Sequence, residues 1–138
     1  MQLLNEGQTM ATWNDLEKHI KSSYHVDPNA PAGMVGILFP VGSRSQAVFV
    51  HRTGNELLGE WATIISPIGK VSAAKLKEIT TEAYDLVCGG IVMLRDLVCL
   101  SHSVPLADLD INEFTAPLVA ITVSADALEQ KFTGRDEH

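Results

Sequence analysis

Between residues 114 and 132, apolar side chains recur at alternating steps of four and three residues, which places them along one face of a helix. Asp110 precedes this stripe, and Glu113 follows Asp110 by the three residues of an N-terminal capping box. The pattern predicts an amphipathic helix that begins after Asp110, with a kink or a short first turn before Pro117. It also predicts that Asp110→Ala costs about 1 kcal/mol of unfolding free energy, and Asp126→Ala much less. The stripe consists of Phe114, Leu118, Ile121, Ala125, Leu128 and Phe132.

Strand signals precede this helix. Two apolar runs, at residues 91–94 and 97–104, are separated by two turn residues and predict a hairpin. Farther upstream, residues 34–39, 47–52 and 60–66 are rich in β-branched and aromatic side chains. The connections between these three runs, at residues 42–43 and 53–55, are too short for parallel crossovers. They predict an antiparallel meander that ends at Pro67.

Two further helices complete the order of elements. Residues 12–24 carry apolar side chains at helical spacing, with Thr12 and Asp15 placed to cap the first turn. Ser72 precedes a second stripe that ends before Gly89, formed by Leu76, Ile79, Ala83 and Leu86. The sequence predicts the order α-β-β-β-α-β-β-α. We therefore expect an α+β fold in one domain over residues 1–138, with an antiparallel sheet flanked by helices and a core at about 12–132.

Composition and charge exclude several classes of partner. The 138 residues are 46% hydrophobic and carry a net charge of −7, so a general positive field for nucleic acid is absent. No run of Lys and Arg favours an anionic membrane. The start of the chain lacks the basic and apolar regions of a signal peptide, and no apolar run approaches the ~20 residues that span a bilayer. We expect a cytoplasmic protein.

No residue pattern predicts catalysis or a cofactor. The five histidines lack the spacing of a helical metal site, and Cys88 and Cys99 are expected to be buried, inert thiols. His102 lies between two serines, but neighbours on a strand point to opposite faces, so it cannot activate either one. The acidic residues at 108, 110 and 113 lack a calcium-binding loop, and residues 69–72 lack a phosphate loop. We expect no enzyme, no cofactor and no metal.

The element order, the run Ile-Ser-Pro-Ile-Gly at residues 65–69 and the run Ser-Val-Pro-Leu-Ala-Asp-Leu at residues 103–109 resemble the YbjN-like domains, in their actinobacterial branch. That family shares the fold of type III secretion chaperones. The resemblance extends over about residues 13–132, although the two-residue turn at 95–96 is shorter than the family's polar turn. It implies an acidic, usually dimeric α+β domain that binds polypeptide and has no catalytic activity.

Apolar surface carries the functional prediction. Residues 34–39 are almost continuously apolar, and three helices suffice to cover one face of a sheet, so some apolar surface is expected to remain for another chain. We predict a homodimer that holds a polypeptide by β-augmentation or in a groove, with Val48 and Val50 as exposed contacts. The alternative is a regulatory domain that binds a small molecule between sheet and helices. The predicted dimer interface comprises Leu86, Val87, Val92 and Leu94.

Overall fold

The computed structural model describes residues 9–134, which form three helices and one six-stranded antiparallel sheet. The sheet order is β1-β2-β3-β4-β6-β5, so β1 and β5 are its two edges. This is the predicted α+β fold with one additional short strand, β1. The elements are α1 (Trp13–Ser23), β1 (Val26–Asp27), β2 (Met34–Val41), β3 (Arg44–Asn55), β4 (Gly59–Gly69), α2 (Ala73–Ala83), β5 (Gly90–Leu94), β6 (Leu97–Pro105) and α3 (Ile111–Thr133).

All three predicted helix starts are confirmed by their caps. The Thr12 side chain accepts a hydrogen bond from the Asp15 N–H, and Ser72 does the same for the second helix. At α3 the capping box is complete: Asp110 accepts from the Glu113 N–H at 2.7 Å, and the Glu113 carboxylate accepts from the Asp110 N–H at 3.2 Å. These bonds satisfy backbone N–H groups that a helix start leaves without partners.

The helices pack on a single face of the sheet. One buried cluster joins Leu16 and Ile20 of α1, Ile79 of α2 and the whole apolar stripe of α3. The strand residues in the same cluster alternate along each strand, so they share one face, which we call the helix-covered face. They are Val35, Ile37, Val48, Val50, Ala62, Ile64, Ile68, Val98, Leu100 and Val104.

Several boundaries differ from the sequence prediction. β3 continues to Asn55, because the turn lies at residues 56–58 and not at 53–55. β4 continues through Pro67 to Gly69; proline has no N–H for the ladder, and the register with β6 shifts between these two residues. The second helix ends at Ala83, so Leu86 lies beyond it.

Helix α3 also departs from expectation in its interior. It runs from Ile111 to Thr133 as one element, and Pro117 lies buried within it. Of the two expectations for Pro117, the separate first turn is therefore wrong, and the kink stays a prediction. Burial of the apolar stripe against the sheet outweighs the one hydrogen bond that Pro117 cannot donate. Asp126 is only 4% exposed. It is therefore not the neutral surface position that its place in the sequence suggested.

Candidate functional site: a helix-free sheet face and its open edge

The second face of the sheet has no helix packed on it within residues 9–134. Strand residues that alternate with the core positions point to this side, which we call the helix-free face. Ala47, Ile65 and Cys99 are buried there, yet they are not part of the cluster that contains the helices. Apolar residues of the face include Met34, Leu38, Ala47, Phe49, Trp61, Ile65, Pro67, Val92, Leu94, Leu97 and Cys99.

Exposure varies across the helix-free face. Ile65 and Cys99, on the adjoining strands β4 and β6, are 6% and 0% exposed, whereas Leu38 and Phe49 are half-buried. One corner is covered by the loop after β1: a Cβ added to Gly36 would lie 2.9 Å from the Ala30 Cβ. Outside this corner, the accessible apolar surface of β2 and β3 is formed by half-buried side chains, which are Met34, Leu38 and Phe49. Such a surface is typical of a contact site for another chain.

A row of hydroxyl groups borders this apolar area. The Thr53 and Thr63 hydroxyl oxygens are 3.0 Å apart, and those of Thr63 and Ser103 are 2.8 Å apart, which links β3, β4 and β6. His51 is the cross-strand partner of Thr63 and is half-buried. The row supplies hydrogen-bonding groups beside an apolar surface, the combination found where an interface core meets its rim.

The predicted contact residues Val48 and Val50 do not belong to this surface. Both are 0% exposed, because they lie on the helix-covered face inside the core. The expectation that they are exposed is wrong. The strand carries apolar side chains on both faces around them, so its sequence could not indicate which face the helices cover. Phe49, between them, is the residue that faces the open side.

Of the predicted dimer residues, Val92 and Leu94 lie on the edge strand β5, and Leu86 and Val87 lie in the connection before it. Val87 is 98% exposed and Val92 is 38% exposed, whereas Leu86 and Leu94 are half-buried. Leu86 packs against the core from beyond the end of α2. The sequence reasoning missed Tyr84 and Met93 of the same region, which are 90% and 53% exposed. The sequence does contain a signal for both residues, because Met93 lies within the longest apolar stretch, residues 86–94, and Tyr84 lies just before it.

A second exposed apolar feature is the turn between β3 and β4. Leu57 and Leu58 are 91% and 60% exposed there. The Asn55 side chain accepts hydrogen bonds from both of their N–H groups, at 3.0 and 2.8 Å, and Trp61 Nε1 donates to the Leu58 carbonyl at 2.9 Å. These three bonds fix the backbone of the turn and hold the two leucines in solvent.

Buried charges connect α3 to the first hairpin. Arg44 Nε lies 3.1 Å from the Asp126 carboxylate, and Arg44 Nη2 lies 3.5 Å from Glu129. Asp126 and Glu129 are 4% and 1% exposed. Next to Arg44 on the same face of β3, Gln46 Nε2 donates to Ser66 Oγ at 2.9 Å and to the Pro67 carbonyl at 2.7 Å. The Arg44 contacts link the sheet to α3, because a buried charge must be paired to remain in the core, whereas the Gln46 bonds join β3 to β4 within the sheet.

Among residues 9–134, burial shifts the pKa values of a histidine and of a cysteine. His19 packs edge-on against Tyr24 and Phe114, with ring centroids 6.1 and 6.3 Å away, and burial lowers its pKa. Burial raises the pKa of the Cys99 thiol to about 11, which disfavours the reactive thiolate. Among residues 9–134, no three His, Cys, Asp or Glu side chains are grouped as metal ligands require.

An open groove of about 510 Å³ lies between α2 and the end of α3. Its lining is Lys77, Glu78, Thr81, Glu82, Lys131 and Phe132. Lys131 is ion-paired with Glu82 across the groove. This groove lies between two helices, so it is not the small-molecule pocket predicted between sheet and helices, which stays a prediction.

Comparison with known proteins adds no assignment: no family model matches the chain, and no curated protein matches it. The similarity to YbjN-like domains therefore stays a prediction from sequence. Within residues 9–134, no helix has both the length and the apolar character needed to cross a membrane.

Proposed function

We propose that this chain is a non-catalytic, chaperone-like domain of the cytoplasm that forms a homodimer and binds an extended polypeptide. The observation that carries the proposal is the helix-free face, a half-buried apolar surface of β2 and β3 that no helix within residues 9–134 covers. The resemblance to YbjN-like and type III secretion chaperone-like domains implies the same activity.

Apolar contact suits an unfolded or extended client. Leu38 and Phe49 supply the apolar surface, and the hydroxyl row of Thr53, Thr63 and Ser103 supplies hydrogen-bonding groups at its border. Because the contact is apolar, binding is expected to persist at moderate salt, which screens surface charges over roughly 8 Å at physiological ionic strength. The net charge of −7 further disfavours strongly acidic clients.

The test uses a fluorescently labelled, permanently unfolded polypeptide, such as a reduced and carboxymethylated protein, with binding followed by fluorescence anisotropy. Leu38→Asp and Phe49→Ser should each weaken binding at least tenfold, about 1.4 kcal/mol. The matched control is Val123→Asp, which introduces a charge at an apolar position of α3 that is 44% exposed on the other side of the molecule. Thermal unfolding of every variant is measured in parallel.

Equal binding by wild type, both face variants and the control would contradict the proposal. A second candidate, a small-molecule regulatory domain, is favoured by the groove between α2 and α3, whose volume falls in the range of ligand sites. Its lining is largely charged and open to solvent. If the face variants retain binding, a metabolite screen by thermal shift with Lys77→Ala as the comparison variant would test this candidate.

A further inference from the structure

Strand β5 is an open sheet edge, since no other strand within residues 9–134 pairs with its outer side. The opposite edge, β1, is only two residues long and is followed by Pro28, and both features discourage further strand pairing. β5 has five residues, no proline and no charge. The whole run of residues 86–94 is uncharged. An apolar edge strand of this kind is a template for pairing with another strand.

The direction of the free hydrogen-bonding groups follows from the hairpin. Leu94 and Leu97 flank the two-residue turn, and in such hairpins the flanking pair exchanges both hydrogen bonds. Bonded and non-bonded pairs alternate along an antiparallel ladder. Val92 therefore bonds to β6, whereas Ile91 and Met93 direct their N–H and C=O groups toward the open edge.

We propose that a second copy of this chain pairs with β5 in antiparallel orientation, about a two-fold axis that passes beside Val92. Ile91 then lies opposite Met93 of the second copy, and each of the two symmetry-related pairs exchanges two hydrogen bonds. The two six-stranded sheets become one continuous sheet. This inference rests on the self-association in the proposed function and specifies its geometry.

Two observations favour a second copy as the occupant. The first is the distribution of exposed apolar side chains: of the eight large ones in residues 9–134, Tyr84, Val87, Val92 and Met93 border this edge. A strand paired with its own copy brings Val92 and Met93 of both subunits into the interface, as an isologous interface requires.

The second observation is charge. Asp85 precedes the uncharged run and Arg95 follows it, while Asp96 is already paired with Lys70 at 3.0 Å. Antiparallel self-pairing about Val92 places the two Arg95 residues at opposite ends of the paired strands. Parallel pairing would bring like charges together, which is unfavourable.

The pairing also joins the two helix-free faces. Val92 is the cross-strand partner of Cys99 and shares its face. At the two-fold axis the Val92 side chains of both copies are adjacent, so the apolar surfaces of the subunits meet and form one longer surface. An extended polypeptide could then contact both subunits at once.

Disulfide trapping tests the register. Residues at a non-bonded antiparallel pair have Cα atoms about 4.5 Å apart, within the range that a disulfide spans. Val92→Cys is made in a Cys88→Ser, Cys99→Ala background, because Cys99 faces Val92 within the chain. Under mild oxidation we expect a covalent dimer to form at least tenfold faster than with Leu57→Cys, the matched control at a 91% exposed position of the β3–β4 turn.

A second variant tests the hydrogen bonds. Met93→Pro removes an outward N–H without removing a bond to β6, so it should weaken dimerisation at least tenfold in sedimentation or light scattering while circular dichroism stays unchanged. Cross-linking of Val92→Cys at the control rate in a protein that is still dimeric would overturn the pairing and leave self-association intact. A monomer at tens of micromolar would overturn both, and polypeptide binding would still be judged by the anisotropy test.

Discussion

The buried ion pairs of Arg44 allow a sharp test of how the layers are held together. Arg44→Ala removes the cation that lies 3.1 Å from Asp126 and 3.5 Å from Glu129. Breaking a fully buried pair costs roughly 3–5 kcal/mol, because a charge is left in the core without compensation. The Arg44 side chain is 22% exposed, so water reaches part of the site and lowers this cost. We expect a loss of about 3 kcal/mol of unfolding free energy.

Arg52 provides the matched control, since it lies on the same strand and face as Arg44 and is also paired with a carboxylate, that of Glu60. The two side chains of this second pair are 61% and 35% exposed. Solvent screens such a pair, so Arg52→Ala should cost less than about 1 kcal/mol. Arg44→Lys keeps the charge but loses the guanidinium geometry, and it should fall between the two alanine variants.

The assay is equilibrium urea unfolding followed by circular dichroism, with the slope of the transition compared among variants to confirm that the same surface is exposed. Thermal scans should show a lower melting temperature for Arg44→Ala by roughly 10 °C. Equal losses for Arg44→Ala and Arg52→Ala would refute the reasoning, because burial would then not determine the strength of these pairs.

Three further predictions concern local features. Asp110→Ala should cost about 1 kcal/mol of unfolding free energy by removing the capping box of α3, whereas Asn112→Ala, exposed in the same turn, should change urea stability little. Gly54→Ala should destabilise more than Gly42→Ala: both glycines have positive φ, but an added Cβ at Gly54 would lie 2.0 Å from the Gly59 carbonyl oxygen, while Gly42 has open space. Burial lowers the pKa of His19 in the folded protein, so the unfolded chain binds a proton at this residue more readily than the folded chain does. The contribution of neutral, buried His19 to the free energy of unfolding is therefore complete above about pH 6.5 and is lost as the pH falls through the lowered pKa. Between about pH 7 and pH 5, the melting temperature of His19→Phe should therefore fall less than that of wild type. The control is His25→Gln, at an exposed position, whose melting temperature should fall as much as that of wild type over the same range.

Local patterns in the sequence were enough to determine most of the elements of this protein. The stripe and capping box of α3 are confirmed, because caps and helical periodicity depend on residues three or four positions apart. The meander of β2, β3 and β4 is confirmed, since its short connections leave only antiparallel pairing. The final hairpin follows in the same way from a two-residue turn between apolar runs.

Tertiary structure alone decided which face and which edge remain open. Ala47, Val48, Phe49 and Val50 are all apolar, so alternation could not indicate that Val48 and Val50 meet the helices while Phe49 faces away. The pairing of Arg44 with Asp126 joins residues 82 positions apart. The edge position of β5 depends on β6 lying next to β4, a contact between distant strands. Such long-range contacts arise from how the layers bury their apolar surface together, and no short stretch of sequence contains that information.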